Sequence, residues 1–297
     1  MPAEAAYAGK VASSVRRALA VVPAPVKLRV VRIVGLAVAA LGGLLWLLRD
    51  VPLLQVGLGA LIVLLGGYAG WCRWPRWRWG IARASLSELA QPSDQLVRLT
   101  FDDGPTLGVT DQVLDALREH GVKASFFVLV QKAAAQPELV RRMLAEGHIV
   151  GLHGQDHRLP FFRRSAELQA SLGTARKELE ALCGQPIALY RPSHGFKNVA
   201  LVRAVAALRL RLCFWDYGVW DTDAPPWDVL LARLRATLPV ETSRDASGRK
   251  PGPVVLLHDG LGDDPGIPAH AEPMLAALRA FLPLLRTKLE PAQDHKL

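Results

Sequence analysis

Short apolar runs and longer amphipathic segments alternate from residue 96 to residue 288. Runs of the composition that is typical of strands cover Leu96–Phe101, Lys123–Val130, His148–Leu152, Ile187–Arg191, Leu210–Trp215 and Val254–His258. Segments with helical periodicity cover Asp111–His120, Pro137–Glu146, Ala166–Leu182, Val199–Leu208, Trp227–Leu238 and Glu272–Lys288. Glycine directly follows the first two of these helices and comes after Cys183 at the end of the third, where it acts as a stop signal. The alternation predicts an α/β fold, built on a parallel sheet or a (β/α) barrel.

Two longer apolar runs precede this region. Sixteen residues from Ile33 to Leu48 carry no charge, and neither do the twenty-two from Val51 to Cys72. At 1.5 Å per helical residue the second run spans the roughly 30 Å hydrocarbon core of a bilayer. The first reaches only about 24 Å, so Arg32 would have to extend to the interface. The pattern predicts a transmembrane helical hairpin, in preference to a buried hairpin or a cleaved signal peptide.

Charge is distributed unevenly along the chain. The formal net charge of +9 comes entirely from residues 1–83, which hold eleven basic and two acidic residues. The neutral remainder argues against nucleic-acid binding, which needs a basic stripe on the folded domain. Ten basic residues flank the predicted hairpin and one lies in its turn. The positive-inside rule therefore predicts a multi-pass protein of a bacterial-type inner membrane with its C-terminal α/β domain in the cytoplasm. If only one run spans, that domain faces the periplasm or the outside.

The predicted organisation has five parts. They are a basic segment (1–32), two transmembrane helices with a basic flank (33–83), a linker (84–95), an α/β domain (96–290) and a tail (291–297). The three cysteines form no disulfide framework and no CxxC metal motif.

Polar side chains follow the first and third predicted strands. Asp102 and Asp103 directly follow the first predicted strand, and His153 and His157 follow the third. Asp-Asp-Gly is also good turn chemistry, and a His pair four residues apart is common by chance. In parallel α/β folds, however, active residues lie just past the carboxyl ends of strands. Two imidazoles and one carboxylate make a three-ligand catalytic metal site, which leaves the second carboxylate free to act as a base.

Two more strand ends carry groups that suit such a site. His258 ends the last strand, where an imidazole could act as the acid, and Arg191 ends the fourth, where it could hold a carboxylate ionised. We interpret His120, His148 and His270 as structural histidines.

The motifs TFDDG, HxxxH, RPxxG and LLHD occur in this order within residues 96–290. In order and spacing they resemble the polysaccharide deacetylase family, the NodB-homology carbohydrate esterases. The resemblance implies a distorted (β/α) barrel of about seven strands. It also implies a divalent cation, with Zn²⁺ as first choice and Co²⁺, Ni²⁺ or Mn²⁺ as alternatives.

The resemblance implies a role for each matching residue. The base is Asp102, the metal ligands are Asp103, His153 and His157, Arg191 braces the base, His258 is the acid, and Asp221 pairs with His258. Thr222 stands where the family usually has Trp, and Ser193 where it often has a second Pro. These two departures leave the catalytic residues unchanged. The substrate groove, however, is expected to differ from that of the family.

The expected activity is hydrolysis of an N-acetyl or similar acyl amide on an amino sugar, in a polysaccharide or a lipid-linked glycan. Two alternatives remain at this point: an O-deacetylase of the same fold, and a catalytically inactive membrane-bound barrel that binds glycans. The expected partners are the acetylated glycan or lipid-linked sugar and the lipid bilayer, without nucleic acid or a protein partner.

Overall fold

The computed structural model describes residues 52–73, 96–159, 163–238 and 252–286. The chain forms two compact units, residues 1–77 and 78–297. In the first, helix α1 (Pro52–Arg73) covers most of the second apolar run, whereas the first run lies outside the described residues. Counted over the residues that are described, no helix is both long and apolar enough to cross a membrane. The predicted hairpin, its topology and the five-part division stay predictions.

The second unit is built on one parallel sheet. Its described strands are β1 (Arg98–Asp102), β2 (Ala124–Leu129), β3 (Ile149–Gly154), β4 (Leu189–Tyr190), β5 (Arg211–Leu212), β6 (Tyr217–Gly218) and β7 (Val254–His258). Their order is β5-β4-β3-β2-β1-β7-β6 and every pairing is parallel. The α/β class and the expected number of strands are confirmed. Within the described residues no pairing joins β5 to β6, so the sheet is a half-barrel, open between these strands.

Helices connect most of the strands. They are α2 (Thr110–Glu119), α3 (Val130–Ala135), α4 (Pro137–Ala145), α5 (Ser165–Cys183), α6 (Val199–Ala207), α7 (Trp227–Arg235) and α8 (Ala271–Arg286). Local sequence explains several of their ends. Proline opens α4 at a position that needs no hydrogen-bonded N–H. The Asn198 side chain accepts the Leu201 N–H at 2.8 Å and caps α6, and left-handed Gly184 ends α5.

The central strands are buried on both faces. Every residue of β1 and of β2 is buried, as expected for parallel strands with helices on both sides. Phe101 and Phe126 stack across these two strands with ring centroids 5.2 Å apart. Their interior packing fixes the two strands, and with them the polar residues at the strand ends.

The outer strands differ most from the prediction. Only two residues of each predicted run at 187–191 and 210–215 pair in the sheet, and β6 has no counterpart among the predicted strands. The predicted strand 123–130 ends one residue early, because Val130 begins α3. Since all the strands are parallel, their carboxyl ends share one edge, and the polar residues described next lie along that edge.

Candidate active site

Two consecutive carboxylates end strand β1. Asp102 is its last residue, and Asp103 follows with a φ of 69°. Side chains alternate between faces in a regular strand, so this left-handed residue brings both carboxylates to the same site. Each is only 3% exposed. The turn then requires glycine at Gly104, because a Cβ there would lie 2.2 Å from the carboxylate of Asp259.

Asp103, His153 and His157 form one cluster. Each offers a ligand atom, and these atoms all lie within 4.8 Å of one another. Asp103 Oδ1 is 3.2 Å from His153 Nε2 and 3.1 Å from His157 Nε2. This buried oxygen has no hydrogen-bond partner in the described structure, a costly state unless a ligand satisfies it. A carboxylate and two imidazoles suit a divalent cation and leave a coordination position open. The residues present therefore fit the expected metal.

The electrostatics of the cluster also suit a cation. Burial of Asp103 opposes ionisation, but the interaction with His153 and the charges of the nearby histidines outweigh it and hold the pKa of Asp103 well below its usual range. Burial lowers the pKa of His157 to about 4. The carboxylate is thus ionised and the His157 imidazole neutral at pH 7, which are the forms that bind metals.

His153 is fixed by a contact on its far side. Its Nδ1 lies 2.8 Å from the carbonyl oxygen of Arg191. A carbonyl only accepts hydrogen bonds, so Nδ1 carries the proton and donates, which leaves Nε2 to face Asp103. Burial lowers the pKa of His153, but the charges of Asp102 and Asp103 outweigh it and raise that pKa.

The loop after β7 contacts the other two candidate ligands, Asp103 and His157. The Gly262 N–H donates to Asp103 Oδ2 at 2.9 Å, and the His157 N–H donates to Asp263 Oδ1 at 2.7 Å. One short loop therefore orients Asp103 through its second oxygen and His157 through its backbone. Such outer contacts set the direction in which ligands point.

Arg191 is fully buried beside Asp102. Its guanidinium donates to Asp102 Oδ1 at 2.7 Å and to Thr100 Oγ1 at 2.8 Å. Its remaining donors reach two backbone carbonyl groups just after β5, and the group lies 4.0 Å from the ring centre of Phe127. Asp102 Oδ2 faces His153 Nε2 at 4.0 Å. Arg191 therefore holds one oxygen of Asp102, and the other points toward the cluster.

His258 and Asp221 form the second charged pair. Asp221 Oδ1 accepts from His258 Nδ1 at 2.9 Å, and Oδ2 accepts the His258 backbone N–H at 2.7 Å. Burial lowers the pKa of His258, but the charge and hydrogen bond of Asp221, with the charges of Asp103 and Asp102, outweigh it and raise that pKa to about 9. His258 is therefore protonated at pH 7 and can donate a proton.

All seven site residues named from the sequence lie at this one edge of the sheet. Four contacts that support them were not foreseen: the Thr100 hydroxyl, the Arg191 carbonyl, the Gly262 N–H and the Asp263 carboxylate. Backbone groups carry no sequence signal, so two of the four could not have been found. The only hint was the Gly- and Asp-rich composition of residues 260–266.

The three histidines interpreted as structural contact backbone atoms. His120 Nδ1 lies 2.9 Å from the Ala116 carbonyl oxygen, and His148 Nδ1 accepts the Ala124 N–H. His270 differs in position, because its Nε2 lies 3.2 Å from the carbonyl oxygen of His258. It thus supports the strand end that presents the proposed acid.

The sequence and the structure both match known proteins. The family described as polysaccharide deacetylase matches residues 90–213. The chitooligosaccharide deacetylase of Rhizobium leguminosarum bv. trifolii is 30% identical over 214 residues, which cover 69% of this chain and 94% of that protein. The peptidoglycan-N-acetylglucosamine deacetylase of Bacillus cereus is 30% identical over 196 residues, or 65% of this chain and 83% of that protein. A solved family 4 carbohydrate esterase from Streptomyces lividans, in complex with acetate, superposes with a TM-score of 0.53 at 28% identity, covering 66% of this chain and 90% of that one. The chain is therefore an enzyme of the polysaccharide deacetylase family.

Proposed function

We propose that this enzyme removes the N-acetyl group from N-acetylglucosamine units of a glycan, with the help of a divalent cation. The observation that carries the proposal is the convergence of three ligand atoms within 4.8 Å, next to a braced carboxylate and a protonated imidazole. Two relatives are named as deacetylases of chitooligosaccharide and of peptidoglycan N-acetylglucosamine, and these names support an amino sugar as the substrate.

The cation would be held by Asp103, His153 and His157, with Zn²⁺ as the first choice for this donor set. When bound, it supplies Lewis-acid polarisation of the acyl carbonyl and makes a water molecule more acidic.

Asp102 is the proposed general base. Arg191 occupies its Oδ1, so Oδ2 is the oxygen that can accept a proton from the attacking water. The guanidinium also fixes the orientation of the carboxylate, which a general base needs in order to reach the proton. Oδ2 lies toward the cluster of Asp103, His153 and His157.

His258 is the proposed general acid. Asp221 accepts from Nδ1, so Nε2 is the nitrogen that can deliver a proton to the departing amine. An amine leaves poorly unless it is protonated, and the raised pKa of His258 keeps that proton available at neutral pH. No covalent acyl-enzyme is required in this scheme.

The test is acetate release from N-acetylglucosamine oligomers by the full chain, first stripped of metal and then reloaded with Zn²⁺, Co²⁺, Ni²⁺ or Mn²⁺. We expect acetate and free amine in equal amounts, and only after reloading. Hydrolysis of acetyl esters without amide hydrolysis would favour the O-deacetylase. Metal binding without any hydrolysis would favour the inactive glycan-binding barrel.

We further propose that residues 33–83 anchor the enzyme to a membrane with the catalytic domain on the cytoplasmic side. The support is sequence alone: two charge-free runs and ten basic residues on their outer sides. Protease added to intact spheroplasts should spare the domain and should digest it once the membrane is opened. Digestion in intact spheroplasts would place the domain outside.

A further inference from the structure

Exposed aliphatic side chains are concentrated around the active site. The described residues of the second unit include seven large apolar side chains that are exposed. Four of them lie on three loops that follow strand ends: Leu107 (61% exposed), Leu159 (44%), Leu261 (43%) and Ile267 (67%). Single exposed apolar residues need no explanation, but a cluster beside a site does. We call these four side chains the aliphatic rim.

The three loops adjoin one another. Ile267 lies against Gly108, where a Cβ would be 3.0 Å from Ile267 Cδ1, and so beside Leu107. Gly262, next to Leu261, binds Asp103. The loop that carries Leu159 is bound to the same segment through the His157 N–H and Asp263. The three loops that carry the rim therefore adjoin one another and the cluster of Asp103, His153 and His157.

The acidic side chains near the rim already have partners within the protein. Asp156 pairs with Arg158 at 3.1 Å. Asp263 accepts from the His157 N–H, and Asp264 Oδ1 accepts the Gly266 N–H at 2.8 Å. The carboxylates of Asp263 and Asp264, on the loop after β7, also disfavour an anionic ligand. The rim thus offers apolar area to an uncharged ligand.

We infer that the aliphatic rim binds a hydrocarbon chain of the substrate, so that the acetylated sugar is presented on an uncharged alkyl chain. This inference rests on the proposed deacetylase function and specifies its substrate as an amphiphile. A purely saccharide substrate would leave four aliphatic side chains on the loops of the site in contact with water. A hydrocarbon chain covers them and loses its own contact with water.

The test compares methyl and octyl glycosides of N-acetylglucosamine, below the micelle concentration of the latter. Full burial of one methylene is worth about fourfold in affinity, so partial cover of seven should raise kcat/KM by about tenfold or more. The rim variant Leu107→Ser with Ile267→Ser should lose this preference and keep its rate on the methyl glycoside. The matched control is Val199→Ser with Val229→Ser, which replaces apolar residues of 43% and 39% exposure outside the rim.

Equal kcat/KM for the two glycosides, or an octyl preference that survives in the rim variant, overturns the inference. It is also overturned if the rim variant loses activity on N-acetylglucosamine oligomers as strongly as on the octyl glycoside, since the rim would then bind sugar. If no glycoside is hydrolysed, the proposed function fails. Calorimetry can then still test the rim, by measuring the affinity of each variant for the two glycosides. Tighter binding of the octyl glycoside that is lost only in the rim variant supports the inference.

Discussion

The metal-binding half and the proton-transfer half of the site differ in how their polar atoms are satisfied. Asp103 Oδ1 is buried without a hydrogen-bond partner among the described residues, whereas Asp102 Oδ1, one residue earlier, receives the Arg191 guanidinium. Both oxygens of Asp221 accept hydrogen bonds from His258. The hydrogen bonds of the proton-transfer half are complete as the chain folds, whereas the proposed metal-binding half leaves one buried oxygen for a cation. Changes in the two halves should therefore have separable effects.

The largest effect is expected from His153→Ala. Two remaining ligands fall below the minimum for a catalytic site, so bound metal and acetate release should disappear together. Metal content per chain and acetate release measure this. His120→Ala is the matched control, because His120 lies at the end of α2, where its Nδ1 is 2.9 Å from the Ala116 carbonyl oxygen. Full metal occupancy in His153→Ala would show that His153 is not a ligand.

Asp102→Asn should impair proton transfer without affecting metal binding. The metal should stay bound, since Asp103, His153 and His157 are intact, while turnover falls by at least about 10²-fold, the lower range for a lost general base. The comparison is Asp103→Asn, which should lose metal as well. Near wild-type turnover of Asp102→Asn on N-acetylglucosamine oligomers would remove Asp102 from the role of base.

The next smaller effect concerns pH. The acid form of His258 should be lost as pH rises through about 9, and a cation that offsets the charge of Asp103 would place this alkaline limb somewhat lower. Asp221→Asn removes the largest favourable charge, so the limb should move toward the ordinary histidine value of about 6.5.

The pH dependence of stability follows the same shift. The raised pKa of His258 stabilises the fold fully below about pH 6.5, and this contribution is lost as pH rises toward 9. Rate profiles and unfolding midpoints across pH 6–10 for wild type and Asp221→Asn measure both effects. An alkaline limb that does not move would contradict the assignment of His258 as the acid.

The smallest effect is expected from Gly262→Ala. Gly262 has a φ of 47°, and a Cβ there would lie 3.2 Å from His157 Nδ1. Displacing this loop should weaken metal binding by about tenfold, the low end for a lost outer contact. Gly184→Ala is the control: its φ is 66° but a Cβ meets nothing within 4 Å, so it should cost stability without changing metal affinity. Equal metal affinities in the two variants would show that the loop does not orient the ligands.

The site was more predictable from the sequence than the sheet. Polar residues such as Asp102 and His258 stand out directly after apolar runs, and parallel strands bring such ends together. Strand β6 could not be predicted, because Tyr217–Gly218 is two residues long and is defined by its pairing with β7. Val130 continued an apolar run but starts a helix, since tertiary packing outweighs local propensity.

Arg191 is shared between the two halves through different parts of the same residue. Its carbonyl group orients His153, and its side chain holds Asp102. A substitution changes a side chain and leaves the backbone carbonyl in place, so the contact that orients His153, a proposed metal ligand, should persist in variants that abolish proton transfer. A single replacement of Asp102 should then yield a folded, metal-loaded protein that still binds its glycan without cleaving it. In the evolution of this chain, an enzyme and a sugar-binding protein would be separated by one carboxylate.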